Sequence, residues 1–185
     1  DIELAFKGGK TKGTDARIRY CNKVSEETRG LKAGESLFLP AGTLAHAMLY
    51  RVTKQDNGEI QLDIINTGDG LDNHHADKNG KHSPVVTIRD IKQGSFEDKF
   101  HDLMDTLTRD AKKTTDDIYT TARSMGTEEI PPNIPPEAYI KGQAGDTCTH
   151  KCCTALLKLE YTQKAKDPKV GLQKYEALRT TIKHE

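Results

Sequence analysis

A cysteine that follows a short glycine loop and opens a helical run is the most chemically suggestive feature of the sequence. Gln143-Ala144-Gly145-Asp146-Thr147-Cys148 leads into a stretch whose apolar positions Cys152, Ala155, Leu156 and Leu159 share one helical face, so a helix is expected from about Cys148 to Lys164. A thiol at a helix N-terminus feels the positive end of the helix dipole, which favours the nucleophilic thiolate. Gln143 lies five residues before Cys148. Its amide N–H₂ can aim at the same point as the Cys148 backbone N–H, and two such donors make an oxyanion hole for a tetrahedral intermediate. Gly145 allows the close approach this requires.

Two further residues fit the same chemistry. His46 opens an apolar run, Ala45 to Val52, and Asn66 closes an alternating run, Glu59 to Ile65. The Asn57-Gly58 pair between them predicts a tight hairpin. Pairing around Asp56-Asn57-Gly58, with partner numbers summing to roughly 113, sets His46 opposite Thr67, beside Asn66. A carboxamide there would hold the tautomer and orientation of the imidazole, the task of the third member of a catalytic triad. The candidate set is Cys148 as nucleophile, His46 as general base, Asn66 as orienting group and Gln143 as oxyanion donor. Asp69 or Asp72 is an alternative orienting group, and Cys152, one turn beyond Cys148, an alternative nucleophile. Cys153 reads as structural.

The elements that must position these residues follow from hydrophobic period and turn residues. The first thirty residues are polar and glycine-punctuated, with a short strand expected at Ala16–Cys21. Glu35–Leu39 reads as a strand ended by Pro40-Ala41-Gly42. Leu71 to Ser83 is a polar, histidine-rich loop, and Pro84–Ile91 is a β-branched strand. From Ser95 to Met125 apolar residues recur every three or four positions, which predicts a long amphipathic helix broken once near Lys112–Asp116, with Gly126 as its C-cap. Ile130 to Pro136 carries four prolines and must be an extended connector. A final helix covers Val170–Lys183, with Pro168 at its start. The expected class is α+β: one domain over residues 1–185, β-rich to about residue 92 and helical from about residue 95.

Composition narrows the function. The 185 residues carry 28 Lys and Arg against 28 Asp and Glu, a formal net charge of zero, which argues against nucleic-acid or anionic-membrane binding through bulk charge. No apolar run is long enough for a membrane-spanning helix. The four cysteines, Cys21, Cys148, Cys152 and Cys153, cluster three within six positions, unlike a disulfide framework, so a reducing compartment is expected. Zinc held by Cys148, His150, Cys152 and Cys153 is disfavoured, because four ligands so close on one helix cannot reach a tetrahedron. Asp69, Asp72, Asn73, His74, His75, Asp77 and His82 form a loop of metal-capable side chains whose ordinary reading is a solvated surface. No cofactor or metal is expected. The chain opens at Asp1, which leads to the expectation of a domain excised from a longer protein.

His46-Ala47 leading a strand, a hairpin, and then Ile64-Ile65-Asn66-Thr67-Gly68-Asp69-Gly70 resembles the histidine–asparagine half of papain-like cysteine proteases. Gln143 to Cys148 with the following helix resembles their glutamine–cysteine half. Gly145-Asp146-Thr147-Cys148 is also similar to the Gly-Asn-Thr-Cys segment of ubiquitin-specific proteases. Here the cysteine comes last, so the resemblance implies a circularly permuted papain-like domain, and the tryptophan of the family's asparagine segment is absent. It further implies an antiparallel sheet packed against a long amphipathic helix and a cysteine-bearing helix. The implied activity is hydrolysis of a peptide or isopeptide bond in a protein or peptide substrate, ubiquitin-like conjugates among them. Transglutamination and deamidation use the same groups. Permuted domains of this kind are similar to effectors that intracellular bacteria inject into the host cytoplasm. The rival expectation is a catalytically silent interaction domain of the same fold.

Overall fold

The computed structural model describes residues 10–108, 113–130, 134–142 and 148–184. Its elements run α1 (Lys10–Gly30), β1 (Ser36–Gly42), β2 (Ala47–Lys54), β3 (Ile60–Ile65), β4 (Val85–Ile91), α2 (Gln93–Thr108), α3 (Thr115–Arg123), β5 (Thr127–Glu129), α4 (Cys148–Lys164) and α5 (Pro168–His184). The class is α+β, and the strands form one antiparallel sheet in chain order, β1-β2-β3-β4-β5. The chain divides into two units, residues 1–64 with 87–129, and residues 65–86 with 130–185.

In the first unit, alternation along the strands fills one side with apolar side chains. Met48, Tyr50 and Val52 on β2 and Ile60, Leu62 and Ile64 on β3 are all buried. Each such side chain contributes roughly 1.5–3 kcal/mol relative to an exposed one. Helix α2 adds Phe96 and Phe100, stacked with ring centroids 5.2 Å apart. A row of cross-strand partners runs over the other side: Phe38 of β1 opposite Arg51, Arg51 on Asp63, Asp63 on Thr87, and Thr87 opposite Glu129 of β5.

Helix α1 replaces the strand expected at Ala16–Cys21. Its buried face is Arg17, Cys21, Val24, Ser25 and Thr28, at helical spacing but mostly polar. That composition hides the period from a hydrophobicity reading. Thr28 settles its hydroxyl on the Val24 carbonyl at 2.7 Å, and Arg17 forms an ion pair with Asp105. The expected long helix is two, α2 and α3. The second restarts where Thr114 and Asp117 cap each other reciprocally, Asp117 Oδ2 accepting from the Thr114 N–H at 2.7 Å. Gly126 is not its C-cap, since α3 ends at Arg123. A Cβ at Gly126 would sit 2.1 Å from the Arg89 carbonyl oxygen, so this glycine serves the close approach of β5 to β4.

The β2–β3 turn falls at Asp56-Asn57-Gly58 as expected, but the strand register about it differs from the expected one by a residue. The Gly58 N–H donates to the Gln55 carbonyl at 2.9 Å and the Gln55 N–H to the Glu59 carbonyl at 2.8 Å. Only Gly58 has positive φ, at 83°. The loop is therefore a three-residue type with a glycine bulge. It pairs Gln55 with Glu59 and Arg51 with Asp63, one position on from the register that set His46 opposite Thr67.

In the second unit, α4 and α5 form a helical hairpin. Asp167 caps α5, its side chain accepting from the Lys169 N–H at 2.9 Å, with Pro168 in the first turn as expected. Cys152, Ala155, Leu156 and Leu159 are buried on one face of α4, as the spacing predicts. His82 and Ile140 exchange backbone hydrogen bonds of 2.8 and 2.9 Å, tying the histidine-rich loop to the connector that precedes α4. Part of that connector, residues 131–133, lies outside the described residues.

Candidate functional site

His46 belongs to the first unit and sits at the root of the β1–β2 hairpin. Its carbonyl accepts from the Thr43 N–H at 2.8 Å, and its own N–H donates to the Thr43 carbonyl at 3.4 Å. The side chain is buried. Gly42 makes this geometry possible: it has φ +124°, and a Cβ there would lie 2.0 Å from the His46 carbonyl oxygen. Thr106 of α2 holds the Gly42 carbonyl by a hydroxyl bond of 2.8 Å, so the hairpin root is fixed from two sides. Gly42→Ala is expected to destabilise the fold by about 2–4 kcal/mol and to move His46. Urea unfolding measures the first effect, and a midpoint equal to wild type would contradict it.

Asn66 and the Cys148 helix belong to the second unit. The Asn66 carboxamide is buried and folds back on its own turn. Its Oδ1 accepts from the Gly68 N–H at 3.0 Å and its Nδ2 donates to the Asp69 carbonyl at 2.6 Å. Asp69 and Asp72, the alternative orienting groups, are exposed, whereas an effective orienting group is shielded from water. The next residue, Thr67, brings its hydroxyl to 3.8 Å from Cys152 Sγ. The segment that carries Asn66 therefore packs on the helix that begins at Cys148. Gln143 lies outside the described residues. A cavity of about 380 Å³ opens beside the Asn66 turn, walled by Gly68, Asp69, Gly70, Asp72, His82 and Gly142. Its lining is polar, with glycines at Gly68, Gly70, Gly80 and Gly142 beside the Asp69 and Asp72 carboxylates, His82 and Lys141. The spacing Gly68-x-Gly70 and the Gly142 before Gln143 are the signals by which the sequence marks it.

The cysteines are chemically unequal. Cys152 is buried on Thr67 and Cys153, expected to be structural, is exposed. Cys21 is buried in α1, and burial pushes its thiol up to about 11, with Arg17 opposing. The neighbouring Tyr20 is pushed up to about 12 by burial, with Cys21 and Glu27 adding to it. A raised pKa in the folded state is a stabilising term that is full below the unfolded value and lost as pH rises through the folded one. Stability is therefore expected to be insensitive to these groups at neutral pH and to fall from about pH 9 to pH 12, through the values of Cys21 and then Tyr20. Urea midpoints at pH 8 and above pH 10 measure this. The same burial protects Cys21 from alkylation at pH 7.5, and labelling as fast as that of exposed Cys153 would contradict it.

The histidine-rich loop is more ordered than a solvated surface. His74 is buried, with Nδ1 2.8 Å from the Ser83 carbonyl. His75 packs edge-on to Tyr139. Backbone N–H groups of Lys81 and Asn79 hold the Asp77 carboxyl below its ordinary range. Among the described residues no three His, Cys, Asp or Glu side chains come together around a metal-sized space, and no helix is long and apolar enough to cross a membrane. Compared with protein-family models, curated proteins and solved structures, the chain matches none.

Proposed function

We propose that this chain is a thiol hydrolase of the papain-like type, circularly permuted, which cleaves a peptide or isopeptide bond through Cys148, His46 and Asn66. The observation that carries the reading is the contact of Thr67 with Cys152, which joins the Asn66 turn to the first turns of the helix opening at Cys148. The Cys148 thiolate attacks the carbonyl carbon, and negative charge develops on the oxygen, facing the Cys148 N–H and the Gln143 amide. The intermediate collapses as the His46 imidazolium gives its proton to the leaving amine. Water, deprotonated by the same imidazole, then releases the thioester as a carboxylate and regenerates the thiol. In this reading the part assigned to Asn66 is that of the group that orients the imidazole. Ubiquitin-like conjugates are one substrate class, and delivery from a bacterium into a host cytoplasm is the setting the resemblance suggests. If an amine replaces water in the second step, the outcome is transglutamination; if the leaving group is ammonia from a side-chain amide, it is deamidation.

A second reading, a silent interaction domain, draws on the two hydrogen bonds Asn66 spends inside its own turn. Iodoacetamide at neutral pH, followed by peptide mapping, separates the two. An active thiol labels at Cys148 faster than at exposed Cys153, and Cys148→Ser removes that fast phase. Uniform slow labelling favours the silent domain.

A further inference from the structure

The second unit holds another cavity, of about 350 Å³, walled by α4, α5 and the segment around Ile140. Its charge is one-sided. Lys151 and Lys158 lie two helical turns apart on α4, and Lys141 also lines the cavity. The other charged lining groups, Arg179 and Glu176, occupy each other, with Nη1 3.3 Å from Oε2. Among the described residues none of the three lysines has a carboxylate within ion-pair distance. Lys158 is half-buried, and burial lowers its pKa. Glu176 and Glu137 oppose that lowering, while Lys81 and Arg179 add to it. Including Lys81 and Glu137, the neighbourhood holds five cations and two anions. In a chain whose total charge is zero, three like charges around one hollow are a local concentration that the fold does not offset.

We propose that this cavity binds a compact phosphoryl anion, between pyrophosphate and a sugar phosphate in size. Lysine ammonium groups act as point charges with rotating donors, which suits the oxygens of phosphoryl groups. One N–H of the Arg179 guanidinium, the group that would read a planar carboxylate, is directed at Glu176 at 3.3 Å. The volume falls in the range of small-molecule sites and exceeds what a single chloride or water would fill. The site does not depend on Cys148 chemistry, so a Cys148→Ala chain binds equally.

Calorimetric titration of inorganic pyrophosphate into the full chain tests this, with citrate as a carboxylate of comparable charge. Expected is one saturable event with Kd below about 1 mM, weakened at least about tenfold by Lys151→Ala and by Lys158→Ala. Lys23→Ala, on α1 and outside the cavity, keeps wild-type affinity, and thermal melting checks that every variant is folded. Three results overturn the proposal: no saturation up to about 10 mM, equal weakening by Lys23→Ala in folded protein, or citrate binding as tightly as pyrophosphate.

Discussion

Replacing Cys148 with alanine is expected to abolish the burst of p-nitrophenol that an acylating thiol releases from p-nitrophenyl acetate. Steady turnover should fall by on the order of 10⁴ or more, because the proposed mechanism forms its thioester on this sulfur. Cys152→Ala should retain the burst, since Cys152 is fully buried against Thr67 and the core face of α4. His46→Ala should leave a thiol that acylates about 10³-fold more slowly. Adding His46→Ala to Cys148→Ala should cost little more, since members of one catalytic unit are far from additive. Gln143→Ala should lower turnover by about 10²–10³, the ordinary cost of one oxyanion donor. A full burst in the Cys148→Ala protein would reject the mechanism outright.

Asp63→Ala is expected to be the most destabilising single change in the sheet, by about 3–5 kcal/mol. Asp63 is fully buried. It accepts from Arg51 Nε at 2.7 Å, from the Thr87 hydroxyl at 2.6 Å and from Gln61 Nε2 at 3.0 and 3.1 Å. Gln61 in turn accepts from Arg89 Nε at 3.2 Å, and Arg89 pairs with Glu129 at 3.1 Å. The chain of bonds therefore ties β2, β3, β4 and β5 together. Removing the carboxylate leaves a half-buried guanidinium and a buried hydroxyl without their acceptor, which is what makes the loss large. In a chain of this size a loss of that order lowers the melting temperature by roughly 10 °C. Asp63→Leu combined with Arg51→Met removes both charges together and should be milder than Asp63→Ala alone. Scanning calorimetry of the two variants decides it, and a double variant worse than the single would contradict the buried-charge explanation.

Where the local signal was strong, the sequence was readable. The apolar run of β2, the alternation of β3 and the β-branched run of β4 lie within a residue or two of the observed strands. The cysteine helix matched Cys148–Lys164, and the Pro168 start of α5 held. Three failures share a cause: the deciding interaction was tertiary or polar. Helix α1 buries Arg17, Ser25 and Thr28 beside Cys21 and Val24, so its period is written in residues that a hydrophobicity reading counts as exposed. The three-residue strand β5 is too short and charged to announce itself, and depends on close approach at Gly126 and on the Arg89–Glu129 pair. The hairpin register turned on Gly58 alone adopting positive φ, a choice between turn types that Asn57-Gly58 leaves open. Within the candidate site, Asn66 was legible as a strand terminator. The contact of its neighbour Thr67 with Cys152 was not, since 85 positions separate the two.

The pairing of Cys148 with His46 is what the catalytic reading stands or falls on, and the pH dependence of Cys148 alkylation addresses it without a substrate. A thiolate held beside an imidazolium reacts well below the ordinary thiol pKa of about 8.5. In the intact chain, iodoacetamide labelling at Cys148 should stay fast down to about pH 5–6, and His46→Ala should shift the profile up by at least about two units. Superimposable profiles for the intact chain and His46→Ala would show that the imidazole never acts on the sulfur.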